Sequence, residues 1–395
     1  MDVDTLVELY DERPLENVLG VEVLRPERVI YICAEKYSAL ESVYRKVNAY
    51  FRHRGLHPEV LLFHADIYST QSMLDLFGKI LDCYPDAVFD ITGGTDAVLF
   101  AAGLACAGKP VPVLTYSRTR NRFYSIRNAP FAENLSCGIR LSVEDAFLMA
   151  GGVLRTGRVD NQILRQYMDL FDPFFALFLR HRRNWTRIVT YMQRVSPTRE
   201  DGSFSLEVCG NWSVRGEHGG QVQAPETALG EMAEIGLISS LRIVPDESVS
   251  FVFRDGQVRA WLRDVGSVLE LFVYKACLDT GLFDDVYTSA VVEWDSEDAA
   301  ARVSNELDVM CTRGVTPFFI SCKTCMVRTE ALNELSVLRD RFGGKMARAA
   351  IVTAEPAGAA ACARAADLNI HVISLEDLQD PETLRGRLRD LAGAD

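Results

Sequence analysis

The amino-acid sequence predicts an α/β protein in three parts, and three patterns support that prediction. Over residues 1–141, apolar runs alternate with amphipathic stretches, which is typical of a doubly wound, Rossmann-like domain. Residues 142–255 have helical periodicity followed by a winged-helix-like end, and predict a connector. Residues 256–395 combine helices with antiparallel strands. At about 100–200 residues per domain, a chain of 395 residues has room for all three.

The N-terminal part contains four short apolar runs that we expect to form buried strands, at residues 28–33, 60–64, 87–91 and 112–116. Amphipathic stretches at 37–54 and 71–83, and an Ala- and Leu-rich stretch after Thr95, predict the helices between them. Strands that alternate with helices imply βαβ units and a parallel sheet.

The middle part is predicted to be helical as far as about residue 198. Four aromatic residues recur there at helical spacing and indicate a buried face: Phe171, Phe174, Phe175 and Phe178. Residues 199–226 are rich in glycine and polar residues, and predict a loop or irregular hairpin. A helix at 228–235 and short strands near 241–244 and 249–253 resemble the end of a winged helix. Because no recognition helix stands out, the sequence favours a connector over a DNA-binding module.

The third part is predicted to start with one long helix over residues 258–280. Strands are expected at 285–294, 305–309 and 318–323, with turn residues at 313–317 between the last two. A helix at 330–342, a strand at 349–353, a helix at 359–368 and a strand at 370–374 complete this part.

The charge distribution limits the kinds of partner that the chain can bind. A net charge of −13 argues against a general nucleic-acid coat protein, because such proteins neutralise many phosphates. Between Phe178 and Arg199, however, the chain has no Asp or Glu but is rich in arginine: Arg180, Arg182, Arg183, Arg187, Arg194 and Arg199. These arginines form either a solvated helix face or a face that contacts phosphates.

The sequence also predicts a cytoplasmic protein without a membrane segment. No run approaches the roughly 18 apolar residues that a membrane helix needs. The first residues lack the basic and apolar regions of a signal peptide. The ten cysteines are scattered along apolar stretches, which indicates reduced thiols.

The strands at 305–309 and 318–323 bring together side chains suited to phosphodiester chemistry. Alternation places Glu306 and Asp308 on one face of the first strand, and Ser321 and Lys323 on one face of the second, so Asp308 is expected near Lys323. Glu270 lies within an apolar helix, where a carboxylate needs a partner or a metal. Asp308 and Glu270 could hold Mg²⁺ or Mn²⁺ beside the lysine ammonium, which predicts a metal-dependent nuclease. The alternative is a salt bridge in an inert hairpin.

A second candidate site follows the third predicted strand, where Asp90 and Ile91 lead into Thr92, Gly93, Gly94 and Thr95. Glycines let the backbone approach a ligand, the threonine hydroxyls can donate, and the start of the next helix favours phosphate. The segment has neither the dinucleotide fingerprint nor the lysine of a nucleoside-triphosphate loop, which disfavours a nucleotide-dependent metabolic enzyme. An ordinary tight turn is the alternative.

Two family resemblances rest on these residues. Glu270, Asp308 and Lys323 resemble the PD-(D/E)xK restriction-endonuclease-like fold, in which the residue two before the lysine is usually acidic. Here that residue is Ser321, so the resemblance requires Glu270 or Glu306 to supply the missing carboxylate. The Thr-Gly-Gly-Thr segment, together with residues 6–11, 14–19 and 25–29, resembles the CARF sensor domain of type III CRISPR effector nucleases.

The resemblance covers essentially the whole chain, as a CARF domain, a connector and a PD-(D/E)xK domain. It implies a homodimer that binds one cyclic oligoadenylate, most simply cyclic tetra-adenylate, across its two-fold axis. The matching ligand-binding positions are Cys33, Ala34, Glu35 and Lys36 after the first predicted strand, then Thr92, Gly93, Gly94 and Thr95, with Tyr116 and Ser117 after the fourth.

The function implied by the resemblance is a nuclease that cleaves DNA, RNA or both in antiviral defence, and that is activated by a cyclic oligoadenylate. The alternative is a CARF-type regulator whose nuclease domain is weak or inactive. Ser321 keeps that alternative open, because a serine is a poor metal ligand.

Overall fold

The computed structural model describes residues 3–11, 14–33, 40–155, 161–216, 219–294 and 304–393. No helix within these ranges is both long enough and apolar enough to cross a membrane. All ten cysteines fall within these ranges and are free.

The N-terminal part is built on one sheet. Its strands are β1 (Thr5–Leu9), β2 (Arg28–Cys33), β3 (Glu59–His64), β4 (Val88–Asp90), β5 (Val113–Ser117), β6 (Arg122–Arg127) and β7 (Leu135–Ser136). The helices are α1 (Leu19–Leu24), α2 (Leu40–His53), α3 (Thr70–Cys83) and α4 (Asp96–Cys106). The strand order is β3-β2-β1-β4-β5-β6-β7, in which β1 to β5 pair in parallel. The predicted Rossmann-like arrangement is therefore confirmed.

One central strand was not predicted from the sequence. β1 lies between β2 and β4 and is buried along its whole length, including Glu8, whose side chain is 1% exposed. A buried carboxylate in the middle of a strand runs against the usual pattern, because isolated charges are costly to bury. With β1 in place, the strand order reverses between β1 and β4, and ligands of doubly wound sheets bind at such reversals.

The middle part is a mixture of helices and short strands, as predicted. The helices are α5 (Val143–Ala150), α6 (Asn161–Leu164), α7 (Met168–His181), α8 (Trp185–Val195) and α9 (Glu226–Glu234). The strands are β8 (Gly152–Arg155), β9 (Glu207–Asn211), β10 (Ser213–Arg215), β11 (Gln221–Gln223), β12 (Ile238–Val244) and β13 (Ser248–Phe253). Strands β12, β13 and β9 form the wing-like sheet that follows α9. The four predicted core phenylalanines of α7 are buried.

The C-terminal part surrounds a second sheet. The helices are α10 (Gly256–Leu262), α11 (Ser267–Asp279), α12 (Thr329–Gly343), α13 (Ala359–Asp367), α14 (Leu375–Leu378) and α15 (Pro381–Ala392). The strands are β14 (Asp285–Trp294), β15 (Ser304–Arg313), β16 (Thr316–Lys323), β17 (Arg348–Thr353) and β18 (Ile370–Ile373). Their order is β18-β17-β16-β15-β14-β8, with antiparallel pairing from β16 to β8 and parallel pairing from β16 to β18.

Segments predicted to belong to different domains are interleaved in the structure. β8 lies in the predicted connector, yet it pairs with β14 at the edge of the C-terminal sheet. Conversely, the turn between β15 and β16 belongs to the predicted C-terminal domain but packs against the N-terminal part, where Val315 is 3% exposed and joins the hydrophobic core. The predicted boundaries at 141/142 and 255/256 remain predictions, but the hairpin that carries Asp308 and Lys323 touches the N-terminal part through its tip.

Candidate functional site

Asp308 and Lys323 lie together at the open end of the β15–β16 hairpin. Val309 pairs with Ile320, so the next position along brings Asp308 opposite Ser321. Asp308 Oδ2 accepts hydrogen bonds from the Ser321 hydroxyl at 3.0 Å and from the Cys322 backbone N–H at 2.6 Å. Lys323 Nζ lies 3.5 Å from the same oxygen, an ion pair rather than a short hydrogen bond. The proximity expected from strand alternation is present, while the catalytic roles remain a prediction.

The charge of Lys323 is stabilised by its surroundings. Burial is the largest single influence and would lower the pKa of this ammonium group, but the nearby charge of Asp308 and the smaller effects of other neighbours together raise the pKa above its ordinary value. Lys323 therefore stays protonated near neutral pH and can face an anion.

Glu270 enters the same site from the first turn of α11. Its carboxyl oxygen Oε2 accepts a hydrogen bond of 3.0 Å from Ser289 Oγ. Burial, followed by the negative charge of Asp308, raises the pKa of Glu270 to about 8. Ser289 lies within β14 but has a φ of +52°, which non-glycine residues rarely adopt. Such conformations concentrate at functional sites, and here the strained residue holds the carboxyl group.

The predicted helix over residues 258–280 is wrong, because it is broken into α10 and α11. Asp264 Oδ2 accepts hydrogen bonds from the backbone N–H groups of Gly266 at 3.0 Å and Ser267 at 2.8 Å. The aspartate side chain satisfies backbone N–H groups that have no partner within a helix, so α10 can end before it and α11 can begin after it. The break exposes the first turn of α11, with Glu270, to a cleft.

The cleft has a volume of about 460 Å³ and gathers most of the predicted catalytic residues: Glu270, Glu306, Asp308 and Lys323, beside Arg263, Asp264 and Ser289. Glu306 is exposed at its edge, and its charge adds to the rise in the pKa of Glu270. Ser321 lines an adjoining pocket that shares Glu306, Asp308 and Lys323.

The second candidate site lies between β4 and α4. Asp90 Oδ1 accepts hydrogen bonds from the Thr92 hydroxyl and from the Thr92 backbone N–H, the latter at 2.8 Å. Thr92 Oγ1 in turn accepts a hydrogen bond of 2.8 Å from the backbone N–H of Tyr116. Burial raises the pKa of Asp90 to about 7, although the hydrogen bonds from Thr92 oppose that rise. The start of the loop is therefore fixed to β5.

Gly93 and Gly94 pack directly on β1. A Cβ atom on Gly93 would lie 2.5 Å from the backbone oxygen of Leu9, and Gly94 has a φ of +92°. The Gly94 N–H donates a hydrogen bond of 3.1 Å to Asp11 Oδ2. Close approach and positive φ both require glycine at these two positions. The loop thus lies at the carboxyl ends of β1 and β4, where the strand order reverses.

The remaining ligand-binding predictions have mixed outcomes. Thr95 is exposed at the N-terminus of α4, and Ser117 is partly exposed at the end of β5. The side chains of Cys33 and Tyr116 are buried in the N-terminal core, so the prediction that these two positions contact a ligand now rests on their backbone atoms. The Tyr116 hydroxyl instead donates a hydrogen bond of 2.8 Å to Asn121 Oδ1. Ala34, Glu35 and Lys36 lie outside the described residues.

Comparison with known families identifies the C-terminal part. Residues 259–392 match the family model described as the Card1-like endonuclease domain. The matched region includes α11, β15 and β16, which carry Glu270, Asp308 and Lys323. This part of the chain is similar to Card1-like endonuclease domains. The endonuclease expected from the sequence is therefore confirmed at the level of the domain.

The whole chain shares its fold with solved structures at low identity. Protein VC1899 from Vibrio cholerae is 17% identical with a TM-score of 0.73, and the similarity covers 99% of both chains. Can2 from Sulfobacillus thermosulfidooxidans, solved in complex with cyclic tetra-adenylate, is 18% identical with a TM-score of 0.71, over 99% of this chain and 100% of that one. A type III CRISPR defence DNA nuclease activated by cyclic oligoadenylate is 15% identical with a TM-score of 0.50, over 95% of this chain and 48% of that one. No curated protein matches the chain.

The endonuclease domain offers a donor set that suits a divalent cation. In the ranges that the structure describes, no group of three or more His, Cys, Asp or Glu side chains could hold a metal ion. Glu270 and Asp308 line one cleft and are the carboxylates that could hold a divalent cation, with water in its other positions, as Mg²⁺ commonly does. The hydrogen bonds that the Asp308 carboxylate accepts from described residues go to Oδ2 and leave Oδ1 for such a ligand. Burial, and after it the negative charge of Asp308, raises the pKa of Glu270, and a cation bound between the two carboxylates would oppose that rise.

Sequence reasoning missed three residues of the endonuclease cleft: Arg263, Asp264 and Ser289. The order Asp264, Val265, Gly266, Ser267 is a helix-start signal that could have revealed the break. Nothing in the sequence around Ser289 indicates a positive φ, because serine has no special preference for it.

Proposed function

We propose that this protein is a metal-dependent endonuclease activated by a cyclic oligoadenylate, and that it cleaves DNA, RNA or both in type III CRISPR antiviral defence. The observation that carries the proposal is the convergence of Glu270, Asp308 and Lys323 on one cleft of the endonuclease domain. Activation by a bound ligand is supported by the position of the Thr92–Gly94 loop, where the strand order of the N-terminal sheet reverses.

In the proposed reaction, Asp308 and Glu270 hold Mg²⁺ or Mn²⁺, and Lys323 faces the phosphate. The chemistry that a bound divalent metal supplies in such sites is activation of water and polarisation of the phosphate. Lys323 stabilises the negative charge that grows on the phosphate oxygens in the transition state. Ser321 and the Cys322 N–H hold Asp308 Oδ2 in place, so that the carboxylate is oriented before substrate arrives.

The activator assigned to the N-terminal domain is a cyclic oligoadenylate, with cyclic tetra-adenylate as the expected ring. Support comes from the structural similarity to Can2, whose structure contains cyclic tetra-adenylate. The exposed Thr95 hydroxyl and the start of α4 provide donors for a ligand phosphate. Gly93 and Gly94 keep the loop thin enough for the ligand to approach the sheet.

The proposal includes a homodimer in which two N-terminal domains share one ring. The exposed face of α4, directly after the Thr92–Gly94 loop, is apolar: Phe100 is 64% exposed and Leu104 is 44% exposed. These residues lie four apart, so they share a helix face. A second copy would cover them and bring two ligand loops together around a symmetric ring.

The test of the function combines each cyclic oligoadenylate with Mn²⁺ and labelled DNA or RNA. We expect cleavage only when one ring size and the metal are both present. Cleavage that is equally fast without any ring would contradict activation, and no cleavage with any ring would contradict the endonuclease function.

Replacing Thr95 with valine is expected to weaken activator binding on the order of tenfold, because the volume is kept while one hydroxyl is lost. Within the described residues, the Thr95 side chain makes no helix-capping hydrogen bond, so its removal leaves α4 intact. Calorimetric titration with cyclic tetra-adenylate measures the effect. Thr186→Val, an exposed threonine on α8, is the control. Equal affinity in both variants would remove Thr95 from the ligand site.

Replacing Phe100 with aspartate is expected to convert the dimer into a monomer, because a charge would be buried at the proposed α4 interface. Sedimentation velocity measures the mass in solution. The control is Val337→Asp, which introduces the same charge at an apolar residue of α12 that is 61% exposed. A monomeric wild-type protein, or a dimer that survives the substitution, would contradict the α4 interface.

A further inference from the structure

The structure divides five of the six arginines of the arginine-rich stretch into two groups. Arg180 pairs with Glu231 at 2.6 Å, and Arg182 lies 3.7 Å from Glu355. Arg183, Arg187 and Arg194 are exposed, and no acidic side chain of the described residues pairs with them. Arg183 lies in the turn at residues 182–184 before α8, so we call Arg187 and Arg194 the α8 arginine face. Their spacing of seven residues places them on one side of the helix, opposite the buried Trp185, Ile188 and Met192.

Helix α8 is hydrogen-bonded at both ends to the segment between α10 and α11. At its start, Trp185 Nε1 donates a hydrogen bond of 3.3 Å to the backbone oxygen of Val265. Near its end, Gln193 Nε2 donates one of 2.6 Å to the backbone oxygen of Arg263. Both acceptors belong to the segment between α10 and α11 that lines the cleft. The side of α8 that carries Trp185 is therefore attached to the segment that holds Arg263 at the cleft, and Arg187 and Arg194 lie on the exposed side of the same helix.

The cleft wall itself contains a pair of guanidinium groups. Arg263 lines the cleft, and Arg259 lies behind it with 4% of its surface exposed. Both donate to Thr198 Oγ1, Arg259 at 3.0 Å and Arg263 at 3.1 Å. The Nε atoms of both are buried and have no hydrogen-bond partner among the described residues. Two close cations without an acidic partner repel each other, and burial together with this repulsion lowers the pKa of Arg259. An anion at Arg263 would relieve that repulsion.

We propose that Arg263 and the α8 arginine face bind separate phosphates along one strand of the nucleic-acid substrate and guide the strand into the cleft. This inference rests on the proposed endonuclease function of the same site. Arg187 and Arg194 are separated by about 10 Å at the helical rise of 1.5 Å per residue. That distance matches roughly three nucleotides at 3.4 Å each along a duplex strand. In a chain with a net charge of −13, this is a local surface that can attract a polyanion.

The test measures binding of a labelled strand of about 20 nucleotides as a function of salt, in chelator so that no cleavage occurs. The double variant Arg187→Glu with Arg194→Glu is compared with Arg52→Glu with Arg389→Glu. The control arginines are also exposed, change the charge equally and lie outside the cleft. For single strands, loss of two phosphate contacts lowers the slope of log affinity against log salt by about 1.4. If the affinities converge near 1 M salt, that slope corresponds to about 25-fold weaker binding near 0.1 M.

Three outcomes would overturn the inference. The first is a loss of affinity in the α8 variant no larger than in the control, and the second is a wild-type protein that binds no strand in any activator state. The third is polyglutamate that binds as tightly as the strand, since the surface would then recognise any polyanion. A wild-type protein that binds the strand through α8 but never cleaves it would leave this inference standing and overturn the proposed function.

A second measurement tests Arg263 separately from α8. Arg263→Gln is expected to weaken binding of the strand by on the order of tenfold, and Arg263→Lys is expected to restore most of the affinity. The apparent Tm of each variant shows whether the helix break has kept its structure. Equal weakening by lysine and glutamine, at unchanged Tm, would exclude a charge contact at Arg263.

Discussion

Replacing Asp308 with asparagine is expected to reduce activator-dependent cleavage by about 10²–10³-fold while activator binding stays unchanged. Asparagine keeps the size of the side chain and can still accept hydrogen bonds from Ser321 and the Cys322 N–H. It removes the negative charge that would hold a divalent metal and that pairs with Lys323. Lys323→Ala is expected to cause a loss of similar size, because the ammonium group that stabilises charge on the phosphate oxygens is removed. Initial rates on labelled DNA and RNA, measured with saturating activator and Mn²⁺, report both losses.

The endonuclease domain provides matched controls for this pair. Lys275 and Asp279 form another ion pair of the domain, with Nζ and Oδ2 2.5 Å apart, but they lie outside the cleft. Asp279→Asn and Lys275→Ala should leave cleavage within a few-fold of wild type, because an ion pair near the surface contributes about 0–1 kcal/mol. Undiminished cleavage in Asp308→Asn or Lys323→Ala would place the chemistry elsewhere. If wild type and all variants bind the activator but none of them cleaves, the protein would instead be a regulator. Ser321 is compatible with that outcome because a serine is a poor metal ligand.

The hairpin was predictable from the sequence because strand alternation is a local property. Asp308 and Lys323 could be placed together from two local features: each lies on the polar face of its strand by alternation, and a turn joins the two strands. The ends of the strands were less accurate: the predicted turn at 313–317 shrinks to Gly314 and Val315. Val315 packs into the N-terminal core, so tertiary contact prolongs the pairing beyond what the turn residues suggest.

The parts that could not be predicted depend on the surroundings of single residues. Glu8 sits in the buried centre of β1, and only the full sheet makes that position part of a strand. The placement of Glu270 needs the helix break at Asp264, the backbone of Ser289 and the charge of Asp308 together. Cys33 and Tyr116 were placed correctly at strand ends, but alternation turned their side chains into the core. Strand ends can thus be located from sequence more readily than the directions of their side chains.

Replacing Glu270 with glutamine is expected to stabilise the protein without metal while removing its response to metal. The folded pKa of about 8 lies well above the ordinary value of 4.5, so the folded protein holds a proton that the unfolded chain releases. Stability must therefore fall as pH rises between these two values, by on the order of a few kcal/mol at pH 8. Glutamine cannot ionise, so the variant escapes this loss. In chelator, its apparent Tm should exceed that of wild type increasingly from about pH 5 to pH 8.

Added Mn²⁺ should reverse this difference in stability, so that wild type has a higher apparent Tm than Glu270→Gln. A cation that binds the folded state stabilises it in proportion to the logarithm of its concentration over its Kd, and it requires the ionised carboxylate. Wild type should therefore gain Tm with Mn²⁺, more strongly at pH 8 than at pH 6, while Glu270→Gln gains little. Glu306→Gln is the control, because this exposed carboxylate lies in the same cleft. If Glu306→Gln abolished the Mn²⁺ response and Glu270→Gln kept it, Glu306 would be the acid that compensates for Ser321, and Glu270 would be a buried structural acid.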